Sequence, residues 1–524
     1  MSTGKFIFKA TVTIAFFSLL SRFLGLVRDI VIANQFGASV QTDAYLVAFT
    51  LPNLLFFVIS GALVAVVVPV FTEYAAKKAE QEAWKIFNTV FNVVTLIFII
   101  ISAAGMLGAV YVVKIIAPGF EGAAAGLAAD LTRIMFPLLL FSGWASLFTG
   151  LLNANNIFGV PAFSNVVNNL VIILSALTLG SLYGVHGLAA GTVIAMALMG
   201  LVQLPVLVRA GYRYTPVFDI GHPGVKKVFY LALPATLGIS VNQAYILIER
   251  IFASGLQAGS ISALNFANKL IQFPVSLIVL ALGTAVFPTL SKLAAEGSLT
   301  ELAVTLKRLV KIMILAMVPA GIGLMVLRYP VVSLLFQHGA FDRQATELTA
   351  AALLFYSVGL VGQAAIIILS RGFYSVQDTR TPVKISLFTV LVNLCLSLVL
   401  IRVFQHAGLA LASSLASLTG TVLLMIFLER KITALEWSGL GKFILSVLAA
   451  SAVMAVASYG VDTALAWYCP WSGTLGLAVR VGAAIATGVA AFIATATVLK
   501  IEEMQLLFNH CREAFGGLLN KLVK

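Results

Sequence analysis

Charge is what this chain has least of. Only 10% of its 524 residues are Asp, Glu, Lys or Arg, against roughly 25% in soluble domains, while 60% are hydrophobic. That balance excludes a soluble globular protein. Cysteine is scarce too. Cys395, Cys469 and Cys511 are scattered with no C-x-x-C spacing, which excludes a complete disulfide framework and a thiolate metal site. No G-x-x-x-x-G-K-[ST] run occurs, so no phosphate-binding loop of the ATP-hydrolysing kind is present. The histidines, His186, His222, His338, His406 and His510, show no ligand spacing. No nucleophile, base and metal cluster converge. The expectation is a protein that is not an enzyme and has no cofactor. Any work it does must draw on an ion gradient (sodium or protons), the membrane potential or the substrate's own gradient.

What is present is a series of apolar runs of about 20 residues, each long enough to cross a hydrocarbon core of about 30 Å. The expected spans are 9–35, 42–72, 86–113, 128–153, 160–180, 187–209, 228–254, 261–290, 308–327, 346–370, 382–402, 408–429, 440–460 and 475–499. This is an all-α polytopic membrane protein of about 14 transmembrane helices. The N-terminal run lacks a small-residue cleavage site, so it reads as the first span and not as a removed signal. An even number of crossings puts both termini on one side. Lys77, Lys78, Lys226, Lys227, Lys307, Arg308 and Lys311 then share that side, against Lys114, Arg328, Arg343 and Arg402 on the other. The positive-inside rule makes the first side cytoplasmic. It also absorbs the net charge of +13, leaving nothing for nucleic acid to bind.

A repeat organises the spans. One constant shift brings Arg28 onto Arg250, Gly37 onto Gly259, Pro52 onto Pro274 and Gly61 onto Gly283. A shift shorter by a single position brings Pro161 onto Pro382 and Gly187-Leu188-Ala189 onto Gly408-Leu409-Ala410. The expected organisation is a six-helix lobe over 1–215, a second over 216–432, two added helices over 433–499 and an amphipathic cytoplasmic tail over 500–524. An offset of six spans preserves orientation, so the lobes are parallel repeats, an arrangement in which transporters hold substrate between the halves. The tail puts Met504, Leu507, Phe508, Phe515, Leu518, Leu519 and Leu522 on one broad face, as in a surface helix.

Four basic residues interrupt these spans: Arg22, Arg28, Arg250 and Lys269. Each opposes insertion by roughly 2.5–3.5 kcal/mol at a bilayer centre, about 10 kcal/mol together. Cations kept at that cost mark a water-filled site for an anion, and guanidinium suits phosphate oxygens. The plainer alternative is a set of buried ion pairs: Arg22 with Asp29, two turns on and on the same face, and Arg250 with a carboxylate elsewhere. Glu249 and Arg250 are adjacent and are expected to point apart. Asn165, Asn168 and Asn169 on one span read first as interhelical hydrogen bonding. Thr389 and Asn393, one turn apart, form with Glu249 a possible oxygen-lined cation site, or else simply pack helices together.

These residues also carry a resemblance. SRFLGLVRD at 21–29, TDAYLVAFTLPNLL at 42–55, GSISALNFANKL at 259–270, P-x-L-S at 288–291 and FYSVQDTRTPVK at 373–384 resemble the MurJ/MviN family. That family comprises the bacterial lipid II flippases of the multidrug/oligosaccharidyl-lipid/polysaccharide exporter superfamily. The resemblance implies fourteen helices, a central cationic cavity for a diphosphate headgroup, and a groove for the polyprenyl tail at the last two helices. By matching motifs it assigns substrate binding to Ser21, Arg22, Arg28, Asp29, Asp43 and Lys269, with Arg250 added by the repeat, and ion coupling to Glu249, Thr389 and Asn393. It places the chain in the bacterial cell membrane as a monomer, with lipid II, membrane lipids and cell-wall synthesis proteins as partners. Two positions depart from the pattern. Phe56-Phe57 follows LPNLL where many members have Arg, and Asn268-Lys269 replaces an acidic-Arg pair. A flippase for another polyprenyl-diphosphate glycan, an ion-coupled exporter of the same superfamily and a non-transporting scaffold are the alternatives.

Overall fold

The computed structural model describes residues 3–76, 80–468 and 473–504. Lys77, Lys78, Cys469, Cys511 and the tail positions from Leu507 to Leu522 lie outside them. Among the described residues every regular element is helical: α1 (Thr3–Phe36), α2 (Val40–Ala76), α3 (Glu80–Leu107), α4 (Ala109–Ile116), α5 (Gly122–Met135), α6 (Leu138–Ala154), α7 (Gly159–Leu177), α8 (Leu179–Leu201), α9 (Leu204–Arg209), α10 (Pro223–Ala253), α11 (Ser260–Pro274), a π-helical turn (Val275–Val279), α12 (Leu280–Ala295), α13 (Leu299–Val326), α14 (Arg328–Phe336), α15 (Arg343–Val358), α16 (Leu360–Ser375), α17 (Arg380–Lys431), α18 (Leu440–Tyr468) and α19 (Thr474–Val498). Helix is the required answer for such a composition. In hydrocarbon a backbone N–H or C=O has no water to bond, and a helix satisfies each one within its own segment.

Each expected span falls on helix. Among the described residues nine helices are long and apolar enough to cross a membrane, ten if the bent pair Arg343–Val358 and Leu360–Ser375 is one span. Part of the difference from fourteen is that α17 merges two expected spans. At 52 residues it would run about 78 Å as a straight rod, more than twice a hydrocarbon core. It is not straight: Gln405, at φ 54 and ψ −133, breaks it. The rest of the difference lies in α1, in α10 and in the interrupted stretch α11–α12.

The break in α17 has a counterpart in α8, where Gly184 adopts φ 61 and ψ −146. Gly184 and Gln405 are related by the same shift that brings Pro161 onto Pro382. Just after each break comes a glycine with no room for a side chain. A Cβ on Gly187 would lie 2.0 Å from the Leu179 carbonyl oxygen, and one on Gly408 2.3 Å from that of Leu400. Leu179 and Leu400 are again related by that shift. The two repeats therefore fold the same reversal with the same device, which the matched Gly-Leu-Ala motifs encode.

By contact the chain forms two compact units, one of residues up to Ser262 with His338–Ala345, the other of Ala263–Gln337 and the residues from Thr346 onward. In the first, α1 lies along α7, α7 along α8, and α2 packs on α5, α6 and α10. Lipid is as apolar as leucine, so close packing rather than transfer from water holds such helices together. Phe98, 1% exposed, sits over Gly143, where a Cβ would fall 2.0 Å from its ring. In the second unit α13 packs on α16 and α18, α16 on α17, and α18 on α19.

An irregular stretch of the first unit, Tyr212–Asp219, lies against a polar stripe of α3. Asn88 Nδ2 donates to the Arg213 carbonyl at 3.0 Å and the Thr215 hydroxyl at 2.8 Å, and Asn92 Nδ2 donates to the Val217 carbonyl at 3.0 Å. Lys85 pairs with Asp219 at 2.8 Å. Tyr212 plugs one end of this strap, edge-on to Phe87 and tilted against Trp84, and its burial pushes the phenol up to about 12.

Candidate functional site

The candidate site begins on α1. Arg28 Nε and Nη2 both donate to Asp29 Oδ1, at 3.0 and 2.8 Å. Asp29 thus pairs with its neighbour Arg28 and not with Arg22, correcting the pair expected across two turns. Its backbone lies a third of a turn from that of Arg28, and the long arginine stem spans the gap. Arg28 Nη1 reaches across to α7 and donates to Asn169 Oδ1 at 3.2 Å. Asn169 Nδ2 in turn donates to the carbonyl and hydroxyl oxygens of Ser21, both at 3.1 Å. Guanidinium has no acceptor, so the Asn169 oxygen must face it. Of the three asparagines on this helix, Asn168 also reaches a neighbour, donating to the Met196 sulfur at 3.4 Å. The Asn165 amide donates to the Pro161 carbonyl of its own helix at 3.1 Å. Arg28 keeps 22% of its side chain exposed, and Arg22 is half-buried on the same helix.

Asp43 does something different. Fully buried in the first turn of α2, it accepts from the Gly259 and Ser262 backbone N–H groups, each at 2.7 Å, and from the Ser262 hydroxyl at 2.6 Å. It caps the turn that leads into α11, supplying the oxygen that unpaired N–H groups at a helix start require. Arg250 is 5% exposed, donates from Nη1 to the Ile261 carbonyl at 3.1 Å and lies within electrostatic reach of Asp43. Its Nη1 also stands 3.8 Å from Glu249 Oε1. The expectation that these two neighbours point apart is corrected, and they approach for the same reason as Arg28 and Asp29. Around this turn the backbones nearly touch: Gly259, at φ +87, would put a Cβ 2.3 Å from the Ala38 carbonyl oxygen, and Gly37, at φ +66, one 2.4 Å from that of Ala340. Ala340 N–H donates to the Asn34 carbonyl at 2.8 Å.

The remaining expected residues belong to the second unit. Lys269 is exposed on α11. Thr389 donates to the Ser386 carbonyl of its own helix at 2.8 Å, and Asn393 donates to the Ser413 hydroxyl at 3.2 Å. Sequence reasoning passes over three charges in apolar helices here. Arg371 donates to the Gly283 carbonyl at 2.6 Å, while Arg480 on α19 holds Asp462 on α18 through two bonds at 2.5 and 2.9 Å. Opposite charges in two consecutive apolar runs are the available signal. Tyr45, whose hydroxyl meets that of Thr192 at 2.9 Å, has none.

Comparison with known proteins fits this arrangement. The model of the family described as lipid II flippase MurJ matches residues 32–475. The chain belongs to the lipid II flippase MurJ family. A MurJ relative, the lipid II flippase MurJ of Burkholderia cenocepacia, is 34% identical over 458 residues, covering 86% of this chain and 89% of that protein. A solved MurJ structure in an inward closed conformation superposes with TM-score 0.80 at 23% identity, over 94% of this chain and 99% of that one. An inward-facing MATE transporter of the MOP superfamily superposes with TM-score 0.68 at 14% identity, over 82% and 99%. The fold is that of MurJ, within the wider MOP architecture.

Proposed function

We propose that this chain flips lipid II, the lipid-linked peptidoglycan precursor, from the cytoplasmic to the outer leaflet of a bacterial cell membrane by alternating access. Family membership supports the substrate. The observation that carries the site is Arg28, a cation in an apolar helix that keeps part of its surface open. A diphosphate entering a low-dielectric cavity is stabilised by such a cation far more than it would be in water. The polyprenyl chain stays in lipid, along the two added helices, while the headgroup crosses. Fourteen crossings put both termini in the cytoplasm, and the chain works as a monomer.

On this reading the end of α1, the cap at Asp43 and the glycine contacts of Gly37 and Gly259 lie at the outer face, and they form the seal that must part for release. Arg250 belongs to that seal more than to an open cavity, and Arg22 and Arg28 capture the headgroup. Glu249 resets the cycle with a cation or proton.

The test is lipid II exposure in cells depleted of their own flippase and expressing this chain, read by an enzyme confined to the outer face that cleaves only translocated lipid II. Wild type should restore cleavage and Arg28→Ala should lose it while still inserting. Full activity from Arg28→Ala would overturn the cationic site, and absent cleavage from well-inserted wild type would overturn the substrate.

A further inference from the structure

Arg28 carries five N–H donors, one on Nε and two on each terminal nitrogen. Three are engaged among the described residues: Nε and one N–H of Nη2 by Asp29, and one N–H of Nη1 by Asn169. One N–H on each terminal nitrogen is left over. Where Asn169 takes the Nη1 hydrogen on the Cδ side, the two left over lie side by side at the tip of the guanidinium and form the fork that takes two oxygens of a phosphate group. The guanidinium plane is held on both sides, by Asp29 from α1 and by Asn169 from α7, which fixes the direction of that fork.

We infer that Asn169 is a positioning residue of the anion site, orienting Arg28 so that its free edge presents a bidentate cradle to a phosphate of the substrate. This rests on the reading of Arg28 given above. Asn169 is buried, 8% exposed, and its own amide is locked by the Ser21 hydroxyl and carbonyl and by the Asn165 carbonyl at 3.0 Å. Its orientation is therefore imposed before any ligand arrives, and Ser21 acts through it rather than on the substrate. The choice of an amide follows from charge. A carboxylate at this position would accept from Arg28 more strongly, but it would set two anions against one guanidinium and cancel the attraction for a third. An apolar side chain would keep the charge and free the plane to rotate. Asparagine alone of these accepts from Arg28, donates to Ser21 and adds no charge.

The test is equilibrium binding of fluorescent lipid II to the full-length protein in detergent, with the thermal midpoint measured alongside. The variants are Arg28→Ala, Asn169→Leu and the isosteric Asn169→Asp. Arg28→Ala should abolish binding, and Asn169→Leu should weaken it by about tenfold or more, the loss expected for a bond to a charged group. Asn169→Asp is the decisive arm. It preserves shape and the bond to Arg28 but loses the donations to Ser21 and Asn165 and adds a second anion, so its midpoint should fall. A purely structural role predicts that binding recovers when measured well below that midpoint, whereas the site proposed here predicts binding lost at every temperature. Undiminished affinity in both Asn169 variants, with Arg28→Ala inactive, overturns the inference and leaves the cationic site standing. Wild-type affinity in Arg28→Ala overturns both.

Discussion

At the scale of single residues, adjacency on a helix is a poor guide to pairing. Neighbouring backbones differ by about 100° in direction, yet Arg28 meets Asp29, and Arg250 approaches Glu249, because a guanidinium rides on a long flexible stem. The positions of Arg22, Arg28 and Arg250 are legible from sequence, since a charge in an apolar run stands out, while Arg371 and Arg480 escape the same reading. The partners of the first three are not legible. Asn169 is far from Arg28 along the chain, and only the packing of α1 on α7 brings them together. Two outcomes follow at this scale. Arg28→Lys keeps the charge but has no planar fork, so it cannot hold Asp29 and Asn169 and still present two N–H groups to a ligand. Its lipid II transport should fall by about tenfold or more, as initial rates of exposure would show. Gln405 holds a backbone conformation that suits glycine, at a cost of order 1–3 kcal/mol. Gln405→Gly should therefore raise the thermal midpoint of the purified protein, and an unchanged or lower midpoint would show that the turn is not strained.

At the scale of elements, the two repeats reveal how much of the fold a pattern can carry. The Gly-Leu-Ala match at 187–189 and 408–410 corresponds to a reversal built twice on Gly184 and Gln405, and every expected apolar run falls on helix, while α14 (Arg328–Phe336) lies outside all the runs. The strap is not foreseen by them. Its signal lies in Lys85, Asn88, Thr89 and Asn92, polar residues at helical spacing in the first half of an apolar helix. They give no hint that their partner is the backbone of Tyr212–Asp219 and not another helix. Removing Asn88 leaves the Arg213 carbonyl and the Thr215 hydroxyl without their donor, at about 1–3 kcal/mol. Asn88→Leu should loosen the strap and make the bond after Arg213 several-fold more sensitive to trypsin, with the rest of the digestion pattern unchanged. The hydrogen bond from Lys85 holds the Asp219 carboxyl below its ordinary value. A carboxyl lowered in the folded state contributes above its unfolded value and is lost as pH falls through the lowered one. Strap protection should therefore be level around neutral pH and decline only in acid.

At the scale of the whole molecule, the alternating access proposed above requires opening to each side in turn, and the contacts around Asp43 give that opening a defined obstacle. Asp43 accepts three hydrogen bonds from Gly259 and Ser262, and Gly259 leaves no space for a methyl group. Gly259→Val would force the Ala38 carbonyl away and demand a positive φ of a β-branched residue. Its expected result is a protein that inserts but transports several-fold more slowly, read in the same exposure assay, and wild-type rates would remove this turn from the seal. Motif matching places Asp43 among substrate contacts because its segment sits beside the cations in sequence. Its capping role depends on a turn in the other half of the sequence repeat, which no local pattern shows.

The central claim is that this one chain moves lipid II across a bilayer. The most direct measurement reconstitutes the purified protein in liposomes loaded with fluorescent lipid II on both leaflets, then adds a membrane-impermeant quencher outside. An active flippase exchanges headgroups between leaflets, so the account predicts that the signal protected in empty liposomes decays with time, and that Arg28→Ala restores protection. A protected fraction that stays constant with correctly inserted wild-type protein, under an imposed ion gradient and membrane potential, would contradict it.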